Sequence, residues 1–300
     1  MVQKTPVVSV VIPCRNHAAA LSHCLGTVMS QELDESFEVI VVDSAADERV
    51  AAVVRQHGQA RIVRSTNPLL PGPARNLGAR NAQGTYLAFI DADCIAMAGW
   101  LASALFELKA GAKMVGGAVL HGKPWHPVAV IDNLMQFSDL SAGRARGAAR
   151  LLPSCNLAIA RIDFALLGGF PEVELPAGED VLFCNRAAER WDDQLRFCPG
   201  MRVRHFGRST LRQLWLHQEL FGFARAMYGL ELKPAYRRLG RFAVIAPAVA
   251  LKRLGYLAVR AARWQPMSLA AMVLYFPILL FGMAAWSSGF HRGCCTWDAS

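Results

Sequence analysis

Apolar residues in this chain fall into two kinds of run, and the two kinds alternate. Residues 7–12 form a largely β-branched apolar run that ends in Pro13-Cys14-Arg15-Asn16, and a helical spacing through Leu21, Leu25 and Val28 follows. A second run, 37–42, ends in Asp43-Ser44, and a third, 61–64, leads into Pro71-Gly72-Pro73-Ala74-Arg75-Asn76. A fourth, Tyr86-Leu87-Ala88-Phe89-Ile90, stops at Asp91-Ala92-Asp93. Strands that are apolar throughout, separated by amphipathic helices, predict a mainly parallel mixed sheet with helices on both faces. Polar residues recur at the C-terminal ends of these strands, where open α/β sheets hold ligands.

The pair Asp91 and Asp93 carries the most chemistry. With one residue between them, both carboxylates can turn toward one ligand at a strand end. Hard divalent cations such as Mg²⁺ or Mn²⁺ take oxygen ligands and sit against phosphates, so the pair predicts a cation beside a diphosphate. An isolated Asp-x-Asp is more often a solvated turn, so the neighbouring runs carry the argument. Arg75, near the start of a helix running to about residue 82, can face phosphate together with the free backbone N–H groups there, or form a surface salt bridge.

The chain resembles inverting nucleotide-sugar glycosyltransferases of family 2, which have the GT-A (Rossmann-like) fold. The resemblance rests on Val10-Val11-Ile12-Pro13 with Asn16, Val41-Val42-Asp43-Ser44, Ala74-Arg75-Asn76-Leu77-Gly78, Phe89-Ile90-Asp91-Ala92-Asp93, Ser154-Cys155-Asn156-Leu157-Ala158, Gly168-Gly169-Phe170 and Gly178-Glu179-Asp180. These matches cover roughly residues 5–225. The resemblance implies that Pro13, Arg15, Asn16, Asp43, Arg75, Asp91 and Asn156 line the donor site. Asp43 would read the nucleobase edge, its alternative role being a helix N-cap for a segment starting near Ala46. Asp91 would lie near the ribose or a metal-bound water, Asp93 on the metal, and His205 beside the metal or diphosphate, or else as a hydrogen-bonded structural group. Asp180 would be the base that takes the acceptor's proton, with Glu179 orienting the acceptor, although both also suit a helix N-terminus. Membrane-embedded polysaccharide synthases of this superfamily carry Gln-x-x-Arg-Trp in the following helical segment. This chain has Gln218-Glu219-Leu220-Phe221-Gly222 there, which disfavours a processive synthase.

Composition adds a membrane to the picture. The chain is 53% hydrophobic, and its mean hydropathy of +0.25 is high for a purely soluble enzyme. The net charge is +9, yet residues 201–263 hold thirteen Lys or Arg against two Glu, so the basicity is local. Residues 267–286 carry no charge and would form a helix about 30 Å long, enough to cross a bilayer, with Trp264 and Trp286 as interfacial anchors and a kink at Pro277, the alternative being a buried soluble helix. Residues 242–259 contain Lys252-Arg253 and suit an interfacial helix on anionic lipid, with the cations among the headgroups. Positive-inside bias keeps Arg260 and Arg263 on the cytoplasmic side and sends the short tail outward or into a re-entrant turn.

The basic segment lacks the aromatic platform or helix-turn-helix of a nucleic-acid binder, so no nucleic-acid partner is expected. The first apolar run is a strand and not a signal peptide. The eight cysteines show neither zinc nor disulfide spacing and suit reduced thiols in a cytoplasmic compartment, with Cys294-Cys295 in a frayed tail. A loop over 139–150, rich in Gly, Ala and Arg, is expected to be mobile and to close over the donor.

The expected organisation is a GT-A catalytic domain over 1–228 and a basic interfacial region with a C-terminal membrane helix over 229–300. The expected reaction is transfer of a sugar, with inversion, from a UDP-linked donor to a hydroxyl of a lipid-linked or surface-glycan acceptor. It would run with Mg²⁺ or Mn²⁺ at the cytoplasmic face of the inner membrane. The competing readings are a nucleotidyltransferase that makes nucleotide sugars, whose glycine-rich basic loop is missing after the first strand, and a catalytically silent membrane-associated nucleotide-binding protein.

Overall fold

The computed structural model describes residues 5–174, 176–228 and 234–296. In chain order the elements are β1 (Val8–Cys14), α1 (Ala18–Met29), β2 (Phe37–Asp43), α2 (Glu48–Gln56), β3 (Ala60–Arg64), α3 (Pro71–Arg80), β4 (Tyr86–Ile90), β5 (Cys94–Ala96), α4 (Trp100–Lys109), β6 (Met114–His121), α5 (Pro127–Phe137) and β7 (Gly147–Ala148). There follow β8 (Asn156–Ala160), α6 (Arg161–Leu166), α7 (Glu179–Arg190), β9 (Leu195–His205), α8 (Leu211–Tyr228), α9 (Pro234–Gly240), α10 (Ile245–Trp264), α11 (Pro266–Leu274) and α12 (Phe276–Thr296). The chain forms two compact units, Met1–Leu120 with Ala145–His205, and His121–Arg144 with Phe206–Ser300. This division differs from the boundary expected at residue 228. The segments 121–144 and 206–228 group with the C-terminal helices because their apolar faces pack there.

In the first unit the strands run β3-β2-β1-β4-β8-β6-β9-β5, with β7 added on β9. The β-branched strands β1 to β4 form a parallel half, and β8 turns the sheet antiparallel by pairing Ile90 with Asn156 and Phe89 with Leu157. Continuous apolar strands need both faces covered, and Val10, Val11, Ile12, Val39, Ile40, Val41 and Val42 are accordingly buried. Gly78 lets α3 approach the sheet closely, since a Cβ there would lie 2.3 Å from Val11 Cγ1. That contact, with Val42 close by, seats α3 on β1 and β2.

The second unit is helical. Ile131, Leu134, Met135, Leu257, Met272, Leu279, Met283, Trp286 and Phe290 form its core. Inside it, Asp132 is fully buried and is held by His217 at 2.7 Å, Gln218 Nε2 at 2.9 Å and the backbone N–H of Arg208 at 3.3 Å. His217 and these donors hold the Asp132 carboxyl below its ordinary value against the effect of burial. Gln218 therefore has a structural task at the position where the synthase signature would fall.

The expected continuous helix over 267–286 is broken. α11 and α12 meet at an 89° bend around Tyr275, and no single helix among the described residues is long and apolar enough to cross a membrane. Pro277 supplies the reason, because it has no N–H to donate to Val273 and its ring collides with that carbonyl. Trp286, expected as an interfacial anchor, lies in the core under the Arg253 guanidinium at 4.8 Å. Arg253 is not among exposed cations either. It donates to Met135 O at 2.6 Å and Gln218 Oε1 at 3.4 Å, and burial, with Arg225 and Arg260 nearby, pushes its pKa down to about 9. Cys294 and Cys295 belong to α12 and not to a frayed tail, with Cys294 buried and Cys295 exposed. All eight thiols are free.

The loop over 139–150 has ordered partners. Arg144 donates to Asp139 O at 2.9 Å and stacks on Trp264, while in the first unit Arg146 pairs with Glu107 and β7 pairs with β9.

Candidate active site

The site lies wholly in the first unit, at the C-terminal ends of β1, β2 and β4. Each parallel strand delivers its last residues to the same edge: Pro13 to Asn16, Asp43 and Ser44, and Asp91 to Asp93. Asn16 turns the chain with φ of 60°, a conformation asparagine tolerates, and Arg15 and Asn16 are exposed while Pro13 is half-buried.

Asp43 is completely buried. Its Oδ1 accepts from the backbone N–H groups of Ala45 at 3.3 Å and Asp47 at 3.2 Å. Oδ2 accepts no hydrogen bond and faces Arg64 Nε at 3.8 Å. The N-cap of α2 is Asp47, which accepts from Arg49 N at 2.9 Å, so the capping alternative for Asp43 does not apply. A buried carboxylate oxygen left without a donor costs free energy unless a ligand N–H meets it.

Arg75 is only 2% exposed and does not present its guanidinium to solvent. Nη2 donates to Asp91 Oδ1 at 2.5 Å and Nη1 to Glu179 Oε1 at 2.8 Å, and Phe170 lies under the guanidinium at 5.5 Å. The two carboxylates more than offset the desolvation that would lower its pKa, and hold Arg75 charged. One side chain on α3 thus clamps the turn after β4 to the first turn of α7.

Glu179 is buried and also accepts from Ser154 Oγ at 3.1 Å. Both contacts fall on Oε1 and brace the site from within. Asp180 is the half-buried neighbour. Gly178, with φ of 98°, makes the turn that starts α7 and sets the two acids side by side. Burial, then the adjacent Glu179, raises the Asp180 carboxyl to about 7, against Arg75 and the Val181 N–H, which favour its charged form. Burial also holds Asp91 above its ordinary value, with Arg75 opposing and Asp93 reinforcing the shift.

Asp93 and His205 face each other across the β5–β9 pair, where Cys94 is in register with His205, and Asp93 Oδ2 lies 3.7 Å from His205 Nε2. Among the described residues no three His, Cys, Asp or Glu side chains form a ready-made metal cage. Asp93 and His205 are the residues of this edge that could hold a cation, which would draw its remaining ligands from phosphate oxygens and water, the habit of Mg²⁺ and Mn²⁺.

Asn156 pairs with Ile90 at this edge, but its side chain turns into the core. It is fully buried, accepts from Trp100 Nε1 at 2.8 Å, and donates to Ala118 O at 3.1 Å and Met201 O at 3.0 Å. Its polar groups tie β8 to its neighbours and leave nothing for a donor substrate. Two supports had no assigned role in the sequence. Ser154 holds Glu179, and Asn76 binds Phe170 through both backbone groups, its Nδ2 donating at 2.8 Å and its Oδ1 accepting at 2.9 Å. Both stand inside the recurring motifs, the only signal that could have exposed them.

A mixed sheet with an acid-lined edge of this kind defines the GT-A class. Residues 9–125 match the family model described as glycosyl transferase family 2, and the chain has the GT-A fold. The chain is similar to glycosyltransferase AglE of Haloferax volcanii, at 29% identity over 195 residues that cover 63% of this chain and 64% of that protein. The chain thus spans less than two thirds of that relative's length. Among solved structures it resembles the mannosyltransferase PcManGT from Pyrobaculum calidifontis in complex with GDP-Man and Mn²⁺ (TM-score 0.61, 19% identity, 99% of this chain and 89% of that one). It also resembles S. aureus TarS in complex with UDP-GlcNAc (TM-score 0.53, 15% identity, 97% and 91%).

Proposed function

We propose that this chain transfers a sugar from a nucleoside diphosphate sugar, UDP-linked, to a hydroxyl acceptor by single displacement with inversion. The observation that carries the reading is the Arg75 brace, which joins the Asp91 turn to the helix that presents Asp180. Departure of the diphosphate and deprotonation of the acceptor must occur together, so the groups that serve each must be held in one frame.

In this reading the nucleobase donates an N–H to Asp43 Oδ2, and the diphosphate lies along the edge formed by Pro13, Arg15, Asn16 and Asp91. Asp93 and His205, with Asp91, would hold Mg²⁺ or Mn²⁺, which when bound neutralises charge on the departing diphosphate. The acceptor oxygen attacks the anomeric carbon from the face opposite the diphosphate, and its proton passes to an Asp180 carboxylate oxygen. A carboxyl near 7 suits that task, since at neutral pH a large fraction is ionised while it remains a stronger base than an ordinary aspartate. Arg75 and Glu179 act through position alone.

The acceptor is a lipid-linked or surface-glycan hydroxyl, and the protein works at the cytoplasmic face of the inner membrane on anionic lipid. Support comes from the C-terminal segment, where residues 220–300 hold ten Lys or Arg against two acids, and from the bent apolar pair α11–α12. The test is to incubate the protein with UDP- and GDP-sugars and Mn²⁺, with lipid-linked and soluble acceptors. Free nucleoside diphosphate and a product of inverted anomeric configuration are expected. Pyrophosphate release, or retained configuration, would overturn the reading.

A further inference from the structure

The surface made by α10, α11 and the first turn of α12 has an unusual composition. Leu251, Val259, Met267, Val273, Leu274 and Phe276 all lie on it, with Met267 80% and Val259 66% exposed. Among the described residues from 242 to 280, the only exposed charges are Lys252 and Arg263. No acidic residue occurs in that stretch at all. Large apolar side chains exposed together on three adjoining helices mark a binding face and not ordinary solvent-facing helix. On α10, Lys252, Tyr256, Val259 and Arg263 recur at steps of four, three and four residues, so cations, a phenol and an aliphatic group share one stripe. That composition fits the headgroup boundary of an anionic bilayer.

A second copy of the chain fits the face less well. A symmetric pair would set Lys252 and Arg263 against the same cations, with no carboxylate on either side. Spanning fits less well too. α11 has nine residues, about 14 Å of helix, under half of a bilayer core of about 30 Å, and the chain then turns through 89°. Beyond the bend, α12 is committed to α8. Gly289 admits the Glu219 carbonyl so closely that a Cβ would lie 1.8 Å from it, and Gly222 does the same for Trp286 O at 2.0 Å. Arg292 pairs with Glu219 at 3.5 Å. α8 carries Arg212, Glu219 and Arg225, so lipid cannot replace it around α12 without exposing charge to hydrocarbon.

We propose that α10, α11 and the start of α12 form a one-leaflet docking face for anionic lipid, which lies in the plane of the membrane and does not cross it. The proposal rests on the membrane reading above and sharpens it. The chain enters and leaves the bilayer on the same side, so the end of α12 stays in the water from which the protein approached.

Cys295 makes this testable, because it is the exposed thiol among eight and lies at that end. The full chain is added to preformed vesicles of phosphatidylcholine with or without phosphatidylglycerol and floated on a density gradient. Flotation is expected with the anionic vesicles, weakened by salt, and reduced roughly thirtyfold in partition coefficient by Lys252→Gln with Arg263→Gln. Val259→Asp should reduce it as well. A membrane-impermeant maleimide should then label Cys295 equally before and after detergent, with Cys295→Ser as the blank. Flotation with Cys295 protected until detergent is added overturns the one-leaflet face and leaves membrane association standing. Absence of flotation from every vesicle overturns both, and a dimer by light scattering without lipid that Val259→Asp dissociates assigns the face to a second copy instead. Nucleotide release from the donor sugar, measured in parallel, reports on the transfer reading independently.

Discussion

Asp180 and Glu179 are chain neighbours with opposite environments, and the difference separates base from brace. Glu179 receives both Arg75 and Ser154 on Oε1, whereas Asp180 has Val181 N–H on one oxygen and a carboxyl raised to about 7. Asp180→Asn should lower the turnover number by about 10²- to 10⁴-fold with little change in nucleotide affinity. In the parent, turnover should climb with pH through about 7, because the ionised form is the base. The stability effect runs the other way. A raised carboxyl means the folded chain holds the proton more tightly than the unfolded one, so this contribution is complete below the ordinary aspartate value of about 4 and is lost as pH rises through about 7. Asp180→Asn should therefore melt at a higher temperature than the parent above pH 7, and the two should converge near pH 4. Arg75→Met would leave two carboxylates facing each other with no cation, one of them buried. Urea denaturation should show a loss of about 3–5 kcal/mol, and a double-mutant cycle with Glu179→Gln should recover part of it.

At the scale of elements, the alternation of apolar strands and amphipathic helices was plain in the sequence for β1 to β4, and the structure forms those elements in the parallel half of the sheet. The motif positions at strand ends were legible because a strand's termination fixes where its last side chain stands. Asn156 was misread because a motif gives a place in the chain and not a direction. At the start of β8 its side chain points inward to Trp100. The helix expected over 267–286 failed at Pro277, a residue whose local cost was visible but whose outcome depended on how α12 packs on α8. That packing is tight enough to test. Gly289→Ala places a methyl carbon against the Glu219 carbonyl and should cost at least about 1–3 kcal/mol in the helical unit, read as an earlier thermal transition, with nucleotide binding in the other unit retained.

At the scale of the molecule, the chemistry and the exposed apolar face belong to different compact units. The donor edge is assembled from residues as far apart as Asp43 and His205, and the cation proposed there would draw on the nucleotide for part of its coordination. Calorimetric titration with UDP should accordingly show tight binding with Mn²⁺ and a loss of at least about tenfold after chelation, with Asp93→Ala insensitive to the metal. The amino-acid sequence by itself determined the sheet-forming runs, the acids at their ends and the local excess of cations, since each depends on near neighbours and on the period of the backbone. Only the tertiary structure decided that Arg75 is a buried clamp and not a phosphate ligand, that Arg253 turns inward over Trp286, and that residues 266–296 bend. Each of these is settled by which groups from distant parts of the chain desolvate a side chain together, and no local pattern records that.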